Sequence, residues 1–256
     1  LDAPGHVGPR PHPRRALHPR LNENRTRLLA RLAAAALAAG RDPQDIELVA
    51  VTKSVPAETA MELFDLGCQD LAENRADALL DKHAAFLATG RVARWHFIGH
   101  LQRNKARRVL SVAHAIHSVD SLELHDTLAR IAREEQRAPG IYLQLKLADE
   151  TAKGGLDPAG LPDLLARAVG GPLPLLGLMT MAPLHSEPAR ARADARAVFE
   201  RLAALATTLS PSVFVGGRVR LSMGMSQDFE EAVRAGATTV RIGSQLFEGT
   251  GERRSA

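Results

Sequence analysis

Apolar positions along the chain alternate between two periods. Leu21, Leu28, Leu32, Ala35 and Ala39 recur at spacings of seven, four, three and four, and Gly40 stands in a C-terminal capping position. This predicts an amphipathic helix opening the domain. The compact run 46–51, broken only by Glu47, predicts a strand, and Pro56 leads into a helical stretch over 57–66 that closes at Gly67. The alternation then continues. Strand-like runs fall near 70–71, 95–98, 115–117, 141–147, 175–178, 220–221 and 239–242, with helical runs near 76–86, 104–109, 121–134, 158–167, 189–209 and 228–235 between them. Eight strands, each followed by a helix and the last by a short one from Gln245, predict an α/β chain folded as a single (β/α)8 TIM barrel with an extra N-terminal helix.

Composition narrows the class. Of 256 residues 45% are hydrophobic, and no run approaches the roughly 18 apolar residues that span a bilayer, so no membrane partner is expected. The lone Cys68 allows no intrachain disulfide and no cysteine metal cluster, which makes a reducing cytoplasm the expected location. The net charge of +4 is unevenly spread. Residues 1–20 carry four Arg, one Asp and five of the fifteen prolines, and they are expected to form a disordered basic tail. The barrel domain is expected over 21–250, with a short tail over 251–256.

In such a barrel, ligands bind where strands end at their C-terminal side. Lys53 follows the first strand there, at a place expected to be partly out of water, where its amine could form an imine. The segments 221–226 (Leu-Ser-Met-Gly-Met-Ser) and 241–244 (Arg-Ile-Gly-Ser) follow strands seven and eight, the recurrent phosphate position of this architecture. An imine-forming amine and a phosphate cup on one face suggest pyridoxal 5′-phosphate. Other readings are weaker. Gly99 and a strand-like flank keep His96 and His100 from forming a helical metal pair, and Cys68 has no activating neighbour in sequence. Six Lys or Arg over 91–108 with no acid there read as a solvated helix face more than as a polyanion site, and no specific nucleic acid is expected.

Seven motifs occur in order: 49–53 (Val-Ala-Val-Thr-Lys), 73–75 (Glu-Asn-Arg), 95–105 (Trp-His-Phe-Ile-Gly-His-Leu-Gln-Arg-Asn-Lys), 117–121 (His-Ser-Val-Asp-Ser), 177–183 (Gly-Leu-Met-Thr-Met-Ala-Pro), 221–228 (Leu-Ser-Met-Gly-Met-Ser-Gln-Asp) and 240–244 (Val-Arg-Ile-Gly-Ser). From about Leu21 to Gly249 the chain resembles the pyridoxal-phosphate homeostasis protein family, whose barrel is of the alanine-racemase N-terminal type. The resemblance implies a cofactor imine on Lys53, with Asn74 beside the ring. It implies that Ser222, Met223, Ser226, Gly243 and Ser244 bind at the phosphate side, and that Arg241 faces the pyridine nitrogen. It further implies a monomer that buffers or delivers the cofactor, with apo pyridoxal-phosphate enzymes as partners, rather than an enzyme. Arg75-Ala76-Asp77, the Pro/Arg-rich start and the ending after Phe247 depart from the family pattern without touching those contacts. The rival reading is an amino-acid racemase. It needs a second acid/base group opposite the lysine, and the single tyrosine, Tyr142, falls inside strand five.

Overall fold

The computed structural model describes residues 18–148, 154–183 and 187–251. Its eight strands are β1 (Glu47–Val51), β2 (Asp70–Glu73), β3 (Arg94–Phe97), β4 (Ala115–Val119), β5 (Gly140–Gln144), β6 (Leu175–Met179), β7 (Arg220–Ser222) and β8 (Thr239–Ile242). Each lies parallel to the next, and β8 pairs with β1 to close the barrel. The crossovers are α2 (Ala57–Asp65), α3 (Ala76–Ala88), α4 (Ala106–Leu110), α5 (Leu122–Glu135), α6 (Leu161–Ala168), α7 (Pro188–Thr207) and α8 (Phe229–Arg234), preceded by α1 (Pro19–Ala38).

Three expectations shift. The opening helix starts at Pro19, because proline's fixed φ and missing N–H suit a first turn, so the expected tail boundary at residue 20 falls inside α1. Residues 1–17 and 252–256 lie outside the described residues. The fifth strand stops at Gln144, and Leu145 makes only an isolated bridge to Leu156. No helix follows β8 among the described residues; the chain turns instead, with Leu246 N–H donating to the Gly243 carbonyl. The place of that helix is taken by α1. Asn24 Nδ2 donates to the carbonyls of Leu246 at 3.1 Å and Glu248 at 2.8 Å, and Arg31 reaches Glu230 and Gln245. The N-terminal helix thus completes a ring of eight.

Strands buried on both faces sort their residues by parity. Outward residues such as Ala50, Leu71, Ile116, Leu143, Leu178 and Val240 pack with Leu63, Leu79, Phe86, Leu128, Phe199 and Phe229 of the helices in one apolar annulus. Its aromatic centre sets Phe86 edge-on to Trp95, with ring centroids 5.0 Å apart. The inward set differs. Val49, Val51 and Ala72 form a small apolar patch, whereas His96, His117, Tyr142, Ser222, Thr239 and Arg241 make the rest of the barrel lumen polar.

Candidate functional site at the barrel mouth

Lys53 shares the parity of Val49 and Val51 and so continues the lumen-facing row just beyond β1. The structure corrects its expected burial: Lys53 is exposed at the tip of a turn. Thr52 is the last anchored residue, its N–H donating to the Ala72 carbonyl, and the chain then turns so that Val55 N–H reaches the Thr52 carbonyl. Beneath the turn lies a buried brace. Lys82 Nζ contacts Glu73 Oε1 and the Thr52 carbonyl, each at 2.6 Å, and the Thr52 hydroxyl donates to the same Glu73 oxygen at 2.6 Å. A buried pair of this kind holds geometry more than it adds stability, since both ions lose hydration. Here it fixes the base from which Lys53 rises. Lys53 lines a mouth cavity of about 740 Å³ together with Ser54, Glu58, Asn74, Arg75 and Asp81. Asn74, half-buried, lies one residue past β2. Gly99 allows the two backbones to approach closely, since a Cβ there would stand 2.0 Å from the Asn74 carbonyl oxygen.

Across the barrel end, the turns after β7 and β8 meet. Gly224 adopts a φ of +94°, where a Cβ would also stand 2.6 Å from that of Ala232, so glycine is required at this bend. Asp228 ties the turn by accepting from the Met225 N–H at 2.5 Å. Ser226 Oγ accepts from the Gly243 N–H at 3.4 Å, and the Ser226 carbonyl accepts from Gln245 Nε2. The backbone N–H groups of Ser226 and Ser244 have no hydrogen-bond partner among the described residues, and Ser244 is exposed. Two free amides and two hydroxyls at adjoining turns form a cradle suited to an anion.

Two expected contacts move out of that cradle. The parity of β7 turns Ser222 into the lumen, fully buried, where its hydroxyl is committed to His117 and Arg241. Met223 has the opposite parity, so its side chain packs in the apolar annulus, while its N–H is used by the Thr239 carbonyl at 3.1 Å. Neither side chain is placed to touch a phosphate.

Arg241 is buried in the lumen at the C-terminal end of β8. Its Nη1 donates to the Ser222 carbonyl at 2.8 Å and hydroxyl at 2.7 Å, and its Nη2 to the Thr180 carbonyl at 3.1 Å. Burial lowers its pKa to about 10, against the attraction of Asp228, so the guanidinium remains charged at neutral pH. Sequence reasoning assigned no role to the groups behind it. His117 Nδ1 lies 2.7 Å from Ser222 Oγ and its Nε2 2.8 Å from His96 Nδ1; His96 Nε2 lies 3.1 Å from Asp70 Oδ1. Tyr142 stacks on His117 at 4.4 Å, and its hydroxyl pairs with Thr239 at 3.2 Å, which places it in the lumen beneath the mouth. Burial, reinforced by the Arg241 charge, depresses the His117 pKa well below the usual histidine value. The available signal was the polar pair His117-Ser118 inside a short strand flanked by apolar residues.

The remaining candidates resolve plainly. His96 lies in the lumen while His100 is exposed near Asp120, so the two are not brought together. Burial raises the Cys68 thiol pKa, against thiolate chemistry. Much of the basic segment is paired within the chain: Arg91 with Asp65, Arg94 with Asp70, Lys105 and Arg108 with Asp77, and Arg107 with Glu134 and Glu135. No helix among the described residues is long and apolar enough to cross a membrane.

Comparison with known proteins decides the family. Residues 27–250 match the alanine racemase N-terminal domain. A pyridoxal phosphate homeostasis protein from Aquifex aeolicus is 35% identical over 233 residues, covering 91% of this chain and 98% of its own. One from Pseudomonas aeruginosa is 38% identical over 231 residues, covering 88% and 94%. The chain belongs to the pyridoxal phosphate homeostasis protein family. Among solved structures, the chain is similar to PipY of Synechococcus elongatus with PLP bound, at 35% identity and a TM-score of 0.71, covering 86% of this chain and 99% of that one. An alanine racemase from Streptomyces lavendulae, 18% identical at a TM-score of 0.65, shares the fold alone.

Proposed function

We propose that this protein holds pyridoxal 5′-phosphate at the barrel mouth and serves as a cytoplasmic buffer or carrier of it, without substantial turnover of a substrate. One observation carries this reading: Lys53, the cradle at Ser226 and Gly243-Ser244, and the cationic Arg241 stand at the same end of one barrel. The bound cofactor supplies an aldehyde for the lysine, a phosphate and a pyridine nitrogen. Lys53 offers its exposed amine, Asn74 borders the ring, the two turns take the phosphate, and Arg241 meets the ring nitrogen. Ser222 acts through Arg241, and Met223 supports the turn by packing. A guanidinium has no acceptor for a pyridinium proton, so Arg241 keeps the ring a weak electron sink.

The exposure of Lys53 favours exchange with an incoming amine, as delivery to apo enzymes requires, and a monomer acting from 21–250 suffices. A racemase is disfavoured because the single tyrosine is engaged with Thr239 and His117 beneath the mouth.

Borohydride reduction of the loaded protein followed by peptide mapping is expected to place a pyridoxyl group on Lys53. A modification mainly on Lys82, Lys105 or Lys146 overturns the assignment. Incubation with L- or D-alanine in deuterated water is expected to give no exchange above free cofactor, and turnover of roughly 1–10³ per second would make the protein an enzyme.

A further inference from the structure

The lumen contains a continuous hydrogen-bonded column that crosses from the start of β2 to the ends of β7 and β8: Asp70, His96, His117, Ser222, Arg241. Its four contacts span 2.7 to 3.1 Å, and all five residues are buried. We propose that His96 and His117 are positioning residues, which with Asp70 and Ser222 form a one-way hydrogen-bond column that fixes the Arg241 guanidinium. This rests on the reading that Arg241 meets the cofactor's ring nitrogen.

The direction follows from counting donors. Arg241 can only donate, so Ser222 Oγ accepts from it and has its own proton left to give. His117 Nδ1 takes that proton as acceptor, which places the His117 hydrogen on Nε2, where it donates to His96 Nδ1. The His96 hydrogen is then on Nε2 and donates to Asp70, which is also held by Arg94 at 2.5 Å. With both rings neutral, every link has one donor and one acceptor, and the column ends on a cation at the mouth and an anion at the base. The opposite direction requires a protonated His96 and makes Ser222 accept from both His117 and Arg241, with no acceptor for its own proton among the described residues. Fully satisfied buried networks specify one geometry, and each bond polarises the next. A change at Asp70 or His96 is therefore felt at Arg241 without touching the mouth.

The test has two arms. In the apoprotein labelled with ¹⁵N-histidine, both His96 and His117 are expected at pH 7 as the tautomer protonated at Nε2 alone, with resonances assigned from His96→Gln and His117→Gln. Ser222→Ala is expected to release the His117 tautomer into a mixture. A His117 protonated at Nδ1, or a tautomer unmoved by Ser222→Ala, overturns the column; where an assignment variant fails to fold, through-bond assignment of the wild-type ring resonances replaces it. In the loaded protein, His96→Gln is expected to raise the pH at which the bound cofactor's absorption changes, because a less constrained Arg241 excludes the pyridine proton less well. An unchanged profile overturns the coupling to the cofactor. Absence of any adduct on wild-type Lys53 defeats the functional reading instead, and leaves the apoprotein arm standing.

Discussion

The annulus between strands and helices and the lumen inside the strands are equally buried but built on opposite chemistry. The annulus is apolar, filled by side chains whose shape matters more than their direction. The lumen is largely polar, and its groups are held by specific hydrogen bonds. Annular positions contribute through area and close packing, so they should tolerate apolar exchange and resist deletion. Lumen positions contribute little net stability per bond, yet each is expensive to leave unpaired. Stability therefore resides mainly outside the strands and geometry inside them.

The contrast can be broken at its strongest point first. Phe86→Ala removes an aromatic ring packed against Phe64 and Trp95 and is expected to destabilise the fold by about 3–5 kcal/mol, read from the denaturant midpoint. A loss below about 1 kcal/mol would mean that the annulus does not carry the fold. Cofactor retention per folded molecule should be unaffected.

Acid should act first on the lumen. The His117 pKa is depressed in the fold, so its contribution is present above the unfolded value and is lost as pH falls below about 6.5, at up to about 1.4 kcal/mol per pH unit for one proton. His83 and His114, also lowered by burial, add in the same direction. A second loss follows at lower pH. Burial pushes Asp70 up, but hydrogen bonds from His96 and Arg94 and the Arg94 charge outweigh it and bring its pKa down to about 2, so its contribution disappears between about pH 4 and 2. Stability measured by denaturation from pH 7 to 5 should fall, and His117→Gln should flatten that fall; a slope unchanged in the variant would place the titration elsewhere.

The smallest effect is expected on the surface. Arg107→Ala removes exposed pairs with Glu134 and Glu135 and should shift the denaturant midpoint only slightly, because solvent screens those pairs. A larger change would show that the basic segment is part of the structural core.

Much of this was legible in the sequence. The strands stood out because short runs buried on both faces read as continuous apolar stretches, and the helices because Val198, Leu202 and Leu205 mark one face of α7. Periodicity could not say which side of a doubly buried strand faces the lumen, so Ser222 and Met223 were both expected at the phosphate although parity separates them. Nor could it join His117 to Ser222, 105 residues apart, or Asp70 to His96, 26 apart, since those contacts exist only once the barrel closes. The sequence places Lys53 just past the first strand but does not show its exposure, which depends on where the Thr52 turn lifts it. The helix expected after β8 failed because α1, more than two hundred residues away, already fills that place.

That substitution has a consequence for how the protein is made. The contacts of Asn24 with Leu246 and Glu248, like the pairing of β1 with β8, join segments that leave the ribosome far apart in time. At about 5–20 residues per second, α1 and β1 wait on the order of ten seconds or more before their partners exist. During that interval the nascent chain carries an uncovered apolar helix face and an open strand edge, and it can acquire its final topology only once β8 and the turn after it have been made.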